Sequence, residues 1–306
     1  MRPIHPSNIV PFPGLVLALA IVLVGGVMTG IAAYYFSTVI YMVLIFPLIM
    51  GFLAGWLAVI GVKLGKIRNP VVGTILGLLC GLVVYGSMWT AQYYGFKEQV
   101  NQSIVEQYGP QDRAQVEQTI NQELVADTGQ GGFVGFVMVT AKQGVEIVPF
   151  ISSTAQGTNL GETGSYIYFL IELALVLALG FRPPFKAAAM PFCKVCRRWL
   201  GKEKLVGYLD PNLSAEILSH ARSGNFSAFP AKFQPAFDYP MIGVYSRSCQ
   251  SCLVNDSFLS IQKITRTKQG KMVHKLMIEG MINYFQRNDL LRQPVPGRNS
   301  SEIKPA

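Results

Sequence analysis

The sequence predicts an α-helical polytopic membrane protein: four transmembrane helices and a C-terminal, small β-rich, zinc-ribbon-like cytosolic domain. Three observations predict it. Residues 3–62 and 69–96 contain no Lys, Arg, Asp or Glu, and apolar runs of about 20 residues are long enough to cross the hydrocarbon core. Basic residues gather at one set of span ends. Two CxxC pairs, Cys193/Cys196 and Cys249/Cys252, follow the last apolar run. The composition agrees: half the chain is hydrophobic and 14% is charged, against roughly 25% charged in ordinary soluble domains.

The first three spans occupy residues 1–96. The first is read over 13–36. Its apolar run from Leu15 to Tyr35 exceeds the about 7–15 residues of a signal-peptide core, so it is read as a retained helix. A tight turn at Ser37–Thr38 leads into the second span, 39–62, where Pro47 predicts a kink. The third is read over 71–95 and the fourth over 164–181. Lys63, Lys66 and Arg68 lie between spans two and three; Arg182, Lys186, Lys194, Arg197 and Arg198 follow span four. The positive-inside rule makes both segments cytoplasmic, and four spans then put both termini inside. With no sorting signal in view, a bacterial plasma (inner) membrane is the expected location. Tyr34, Tyr35, Phe36, Tyr41, Trp89, Tyr93, Tyr94, Tyr166 and Tyr168 then fall at the outer interface, where amphipathic rings belong.

Small residues recur at i+4: Gly26/Gly30, Gly51/Gly55 and Gly73/Gly77/Gly81. Such rows let helices approach closely in lipid. The plain reading is packing within one bundle; the sharper one is a homo-oligomer face. Glu172 is the one acid or base well inside a span, about 9 Å below Tyr166 at 1.5 Å per residue. An ionisable group at that depth marks a functional candidate or a hydrogen-bonded lock between helices. Ser87, Thr90 and Gln92 on span three are its expected partners. No second buried acid or base is present to form a relay, which favours the lock.

The segment 97–163 holds three basic and eight acidic residues, a net of −5, and is expected outside. Val100, Ile104 and Val105, then Val116, Ile120 and Leu124, predict two helical faces across a break at Gly109–Pro110. Residues 131–147 are read as an interfacial helix with Phe133, Phe136 and Val137 turned to lipid.

Residues 182–290 form the expected cytosolic domain and 291–306 a disordered tail. Each CxxC pair lets two thiolates grip one ion from a single turn, and two pairs complete a closed tetrahedral site. A reducing cytosol disfavours disulfides, so metal is expected over bridging. A four-sulfur set takes zinc or iron; structural zinc is the expectation. The 52 residues between the pairs exceed the usual 15–20 of a ribbon, so an insertion is required. Asp210-Pro211-Asn212 opens a helix to about Arg222, with Ile217 and Ala221 on one face. Residues 239–247, 258–266 and 272–284 read as strands. His220 and His274 are read as surface or packing histidines, and Cys80 as a small apolar residue.

From Arg182 onward there are nineteen basic and eight acidic residues, a net of +11. No aromatic-interleaved platform or recognition helix accompanies this charge, so nucleic acid is not the expected partner. The cluster Lys194, Arg197, Arg198, Lys202 and Lys204, just past span four, suits anionic lipid headgroups. No P-loop, dinucleotide turn or hydrolase motif is present, and a closed four-cysteine site has no open position for substrate. The sequence therefore favours a non-enzymatic scaffold or sensor-adaptor whose cytosolic domain docks a protein. A small transporter or channel subunit using Glu172 is the first alternative. A membrane thiol-disulfide oxidoreductase using the CxxC pairs is the second.

Overall fold

The computed structural model describes residues 7–38, 45–109, 112–147, 158–235, 239–249, 257–267 and 269–291. Tyr41, Cys252 and the expected tail beyond 291 lie outside them. Two compact units emerge, Asn8–Ala189 and the residues from Met190 onward.

The first unit is helical. Helices α1 (Phe12–Ser37), α2 (Ile45–Leu64), α3 (Pro70–Tyr108) and α6 (Gly161–Ala188) are each long and apolar enough to cross a membrane. Between α3 and α6 lie α4 (Arg113–Thr128), α5 (Gly132–Gln143) and a two-residue pairing of β1 (Glu146–Ile147) with β2 (Thr158–Asn159). Caps fix the starts. Asn69 accepts from the N–H groups of Val71 (2.9 Å) and Val72 (3.3 Å), and Asp112 accepts from Ala114 N–H (3.1 Å), each satisfying orphan donors of a first turn.

Two boundaries differ from the expected ones. At 39 residues, α3 is about 58 Å long, well beyond a bilayer core of about 30 Å. The apolar signal stops near Gly95 while helix propensity does not, so the polar stretch to Tyr108 continues the same helix. Likewise α6 passes through Pro183 and Pro184 to Ala188. A proline removes the N–H that would bond the carbonyl four residues back, here those of Leu179 and Gly180. Both carbonyls face glycines. A Cβ placed on Gly55 would lie 2.9 Å from Leu179 O, and one on Gly77 would lie 2.4 Å from Gly180 O. The missing side chains are what let α6 settle against α2 and α3.

The other glycine positions serve the same purpose. Gly51 and Gly73 also face α6, and Gly26 and Gly30 face α3 at Val83 and Val84. All three rows thus pack against helices of the same chain. Helix α5 also departs from its expected setting. Phe136 is 8% exposed and packs on Phe96 (5.3 Å), Tyr93 (5.6 Å) and Trp89 (6.3 Å). A larger aromatic cluster was available to cover it than lipid contact alone. Val116, Ile120 and Leu124 of α4 bury against Phe96, Val100 and Ile104 of α3, and Lys97 pairs with Glu117 across the two helices.

The second unit is built on a four-stranded antiparallel sheet in the order β5 (Lys204–Leu209), β6 (Met241–Arg247), β7 (Ser257–Arg266), β8 (Met272–Ile282), preceded by a small hairpin of β3 (Phe192–Cys193) and β4 (Arg198–Trp199). Helix α7 (Ser214–Ser223) buries Ile217 and Ala221 in one core with Val206, Leu209, Ile242, Val244, Leu259 and Ile261. Glu216 of α7 is paired with Lys232; that hydrogen bond holds its carboxyl below the ordinary carboxylate range. Helix α8 (Tyr284–Leu291) ends the described chain and buries Leu290.

Gly77→Leu is expected to cost about 3 kcal/mol or more by overpacking against the Gly180 carbonyl. Gly86, with nothing within 4 Å of its would-be Cβ, should tolerate Ala and gain about 0.5–1 kcal/mol. Thermal unfolding in detergent reads both; equal responses at the two positions would contradict the packing described.

Candidate metal centre

The hairpin of β3 and β4 holds the first CxxC pair. Phe192 pairs with Trp199 and Cys193 with Arg198, and the Phe192 and Trp199 rings meet edge to face at 5.1 Å. That contact pins the hairpin base. Within the turn, Cys196 N–H donates to Cys193 Sγ at 3.4 Å, a bond that stabilises negative charge on sulfur. Arg197 closes the turn at φ 50°, a left-handed conformation uncommon outside glycine. Cys249 arrives from the far end of β6, where Gly201 N–H donates to Ser248 O at 3.2 Å.

These elements bring together the sulfurs of Cys193, Cys196 and Cys249, all within 4.8 Å of one another. A tetrahedral zinc with bonds of about 2.3 Å places its sulfurs about 3.8 Å apart, so shifts of about an ångström or less close the set on an ion. Cys193 and Cys249 are buried and Cys196 is half-buried. Cys252 lies outside the described residues. His220 stands 3.4 Å from Glu216 and His274 lies 3.2 Å from Gln262, each engaged away from the sulfurs.

Lys194, Arg197, Arg198, Lys202 and Lys204 are all exposed around the first turn and the entry to β5. Val195, between the two cysteines of the turn, is 73% exposed.

One feature of this unit has no precursor in the sequence reading. Across the sheet face opposite α7, His274 Nδ1 lies 3.2 Å from Gln262 Oε1, Gln262 Nε2 donates to Ser260 Oγ (3.2 Å), and Ser260 donates to Glu203. Arg247 donates to the other Glu203 oxygen at 3.4 Å. Glu203 follows the first CxxC and Arg247 precedes Cys249, so the carboxylate ties the flanks of both cysteine segments. Tyr245 beside this row has its phenol pushed up by burial, and by the neighbouring Tyr208, Glu203 and Tyr239. Separations of up to 57 residues between partners hide such a row from sequence inspection.

In the helical unit Glu172 is 2% exposed. Two phenols hold it: Tyr168 Oη donates to Oε1 at 2.6 Å, and Tyr85 Oη lies 3.4 Å from Oε2 and 3.2 Å from Phe169 O. They take the place of the expected Ser87, Thr90 and Gln92. The Thr90 hydroxyl instead donates to Gly86 O in its own helix at 2.8 Å. The i, i+4 spacing of Tyr168 and Glu172 was the available signal, since such residues share a helix face.

No protein-family model, curated protein or solved structure matches this chain, so its function is read from its own residues.

Glu203→Ala should destabilise the second unit by about 1–3 kcal/mol, because Ser260 and Arg247 lose a shared acceptor; chemical denaturation followed by Trp199 fluorescence measures it. Glu172→Gln retains an acceptor for the phenols and should shift stability by less than about 1 kcal/mol. Glu172→Leu removes the acceptor of Tyr168, while Tyr85 keeps Phe169 O, and should cost about 1–3 kcal/mol.

Proposed function

We propose that the chain is an integral membrane protein whose four apolar helices anchor a metal-clipped, protein-docking domain on the cytoplasmic side of a bacterial inner membrane. One observation carries the reading: sulfurs from two segments more than fifty residues apart converge to metal-binding range. In this reading Cys252 completes a closed zinc site. Zinc held by four sulfurs has no position for substrate, so its task is to shape the zinc-ribbon-like unit.

Exposed apolar side chains support a docking role for that unit. Met272, Val273 and Leu276 on β8, Val195 on the knuckle turn and Phe285 on α8 are exposed, and those on β8 are available to a partner that pairs along that strand. Strand β8 ends the sheet order, leaving it an edge among the described strands, and an edge strand offers backbone groups to a partner. The five exposed cations Lys194, Arg197, Arg198, Lys202 and Lys204 are assigned to anionic headgroups, where each basic residue contributes about 1 kcal/mol. The transporter reading gains nothing from Glu172, which is enclosed by two phenols. The oxidoreductase reading is weakened by a third sulfur closing on the first pair.

Sidedness and docking are both testable. In a Cys80→Ser background, a cysteine at Ser103 should react with an impermeant maleimide in intact cells, and one at Ser223 only after permeabilisation. The reverse pattern contradicts the orientation. A photo-crosslinker at Leu276 should trap a protein partner in the otherwise native chain and lose it when Cys249→Ser is added. Equal trapping in both would show that the partner does not read the metal-clipped fold.

A further inference from the structure

A cleft of about 840 Å³ runs between α1 and α3. Its base is formed by Val27, Ile31 and Ala91 with Ser87 and Thr90, the Thr90 hydroxyl donating to Gly86 O within α3; Tyr34 and Tyr94 form its waist; Glu98, Gln99 and Gln102 form its rim. The two helices meet below it, where Gly30 admits Ser87 and Val84, and again where Tyr34 Oη rests on Gly95. From Ser87 to Gln102 the cleft extends about 22 Å along α3. That is longer than the about 15 Å of hydrocarbon in one leaflet. A site reaching from leaflet interior to headgroup depth, open along its side, has the dimensions of a lipid and not of a compact soluble metabolite.

The rim selects the head. Among the described residues, α1 stops at Ser37 while α3 continues, so the upper wall there is the polar stripe of α3. The last turn of α1 adds the negative end of a helix dipole; Ser37 Oγ already donates to Tyr34 O and Thr38 Oγ1 to Tyr35 O. Among the described residues lining the cleft, Glu98 is the one charged side chain, while the amides of Gln99 and Gln102 both accept and donate, so the rim favours a cationic donor. The adjacent cation, Lys97, is held by Glu117 of α4. Tyr34 also offers a ring face, which attracts ammonium groups; the Tyr94 ring already carries the Lys97 ammonium at 5.6 Å.

Resting on the membrane reading above, we propose that this cleft binds a phospholipid with a primary ammonium head, of the phosphatidylethanolamine type. Its acyl chain lies along Val27 and Ile31, its ammonium donates to Glu98, and its phosphate stays in the hydrated headgroup layer. A trimethylated head presents the same charge but has no N–H to donate, so the site discriminates against it.

The full chain is reconstituted in nanodiscs holding equal parts phosphatidylethanolamine, phosphatidylcholine and phosphatidylglycerol, and the lipid retained on release is identified by native mass spectrometry. The native chain should retain the ethanolamine lipid about tenfold over the choline lipid, the worth of a hydrogen bond to a charged group. Ala91→Trp fills the base and should abolish retention. Glu98→Lys, an exposed change that spares the packing, should erase the ethanolamine preference and favour phosphatidylglycerol. Retention in bulk proportion by the native chain, or a preference that survives both variants, overturns the proposal while leaving membrane insertion intact. A chain that stays outside the discs overturns the membrane reading and this site with it.

Discussion

Three sulfurs held within 4.8 Å of one another set the constraint on which the second unit depends. Thiolates at that range repel, and a divalent cation turns repulsion into coordinate bonds while keeping each sulfur deprotonated. The unit has good reason to need the clip. Its main apolar core lies between one sheet face and α7; the opposite face carries the polar row from His274 to Arg247 beside buried Met241, Phe258 and Ile264. A metal that bridges distant segments of a small domain would add its binding free energy to folding. A metal at these sulfurs would join chain segments that flank β5, α7 and β6, and would fix the stretch between Cys196 and Cys249 at both ends.

The helical unit answers a different problem. Between helices in lipid the hydrophobic effect supplies little, and association rests on close packing and hydrogen bonds. Glycine supplies the closeness: Gly55 and Gly77 receive the carbonyls that Pro183 and Pro184 leave without their usual donors. Sequence and packing are matched here, since a helix carrying two prolines needs neighbours that approach its backbone. Glu172 supplies the hydrogen bonds, linking α6 to Tyr85 of α3. With Tyr168 donating to one oxygen and Tyr85 beside the other, the carboxyl acts as a joint between helices.

Much of this was legible in the residues, and the parts that were not share a cause. Hydropathy located the four long helices because each carries an apolar window of the length a hydrocarbon core requires. The CxxC spacing located the sulfurs because metal geometry demands a tight turn. The break at Gly109 was visible because glycine favours the left-handed region adopted there. What escaped were relations between distant residues. The partners of Glu172 were misjudged because depth along a helix says nothing of which face a neighbour presents. Strand β5 was not anticipated, because six residues with a bulge at Val206 give little alternation to read. The continuation of α6 beyond Arg182 ran against the usual breaking effect of Pro-Pro. Only the glycine surfaces of α2 and α3 make it intelligible.

A membrane anchor, a metal-shaped domain and exposed apolar groups on that domain are the features on which the proposed scaffold or adaptor role rests. The most direct test of this account is elemental analysis of the purified full chain, paired with thiol titration before and after chelation. The account predicts zinc equimolar with the chain, and Cys193, Cys196, Cys249 and Cys252 unreactive until a chelator removes the metal and unfolds the second unit. A metal-free protein whose CxxC pairs cycle between dithiol and disulfide would contradict it and make thiol redox chemistry the leading function.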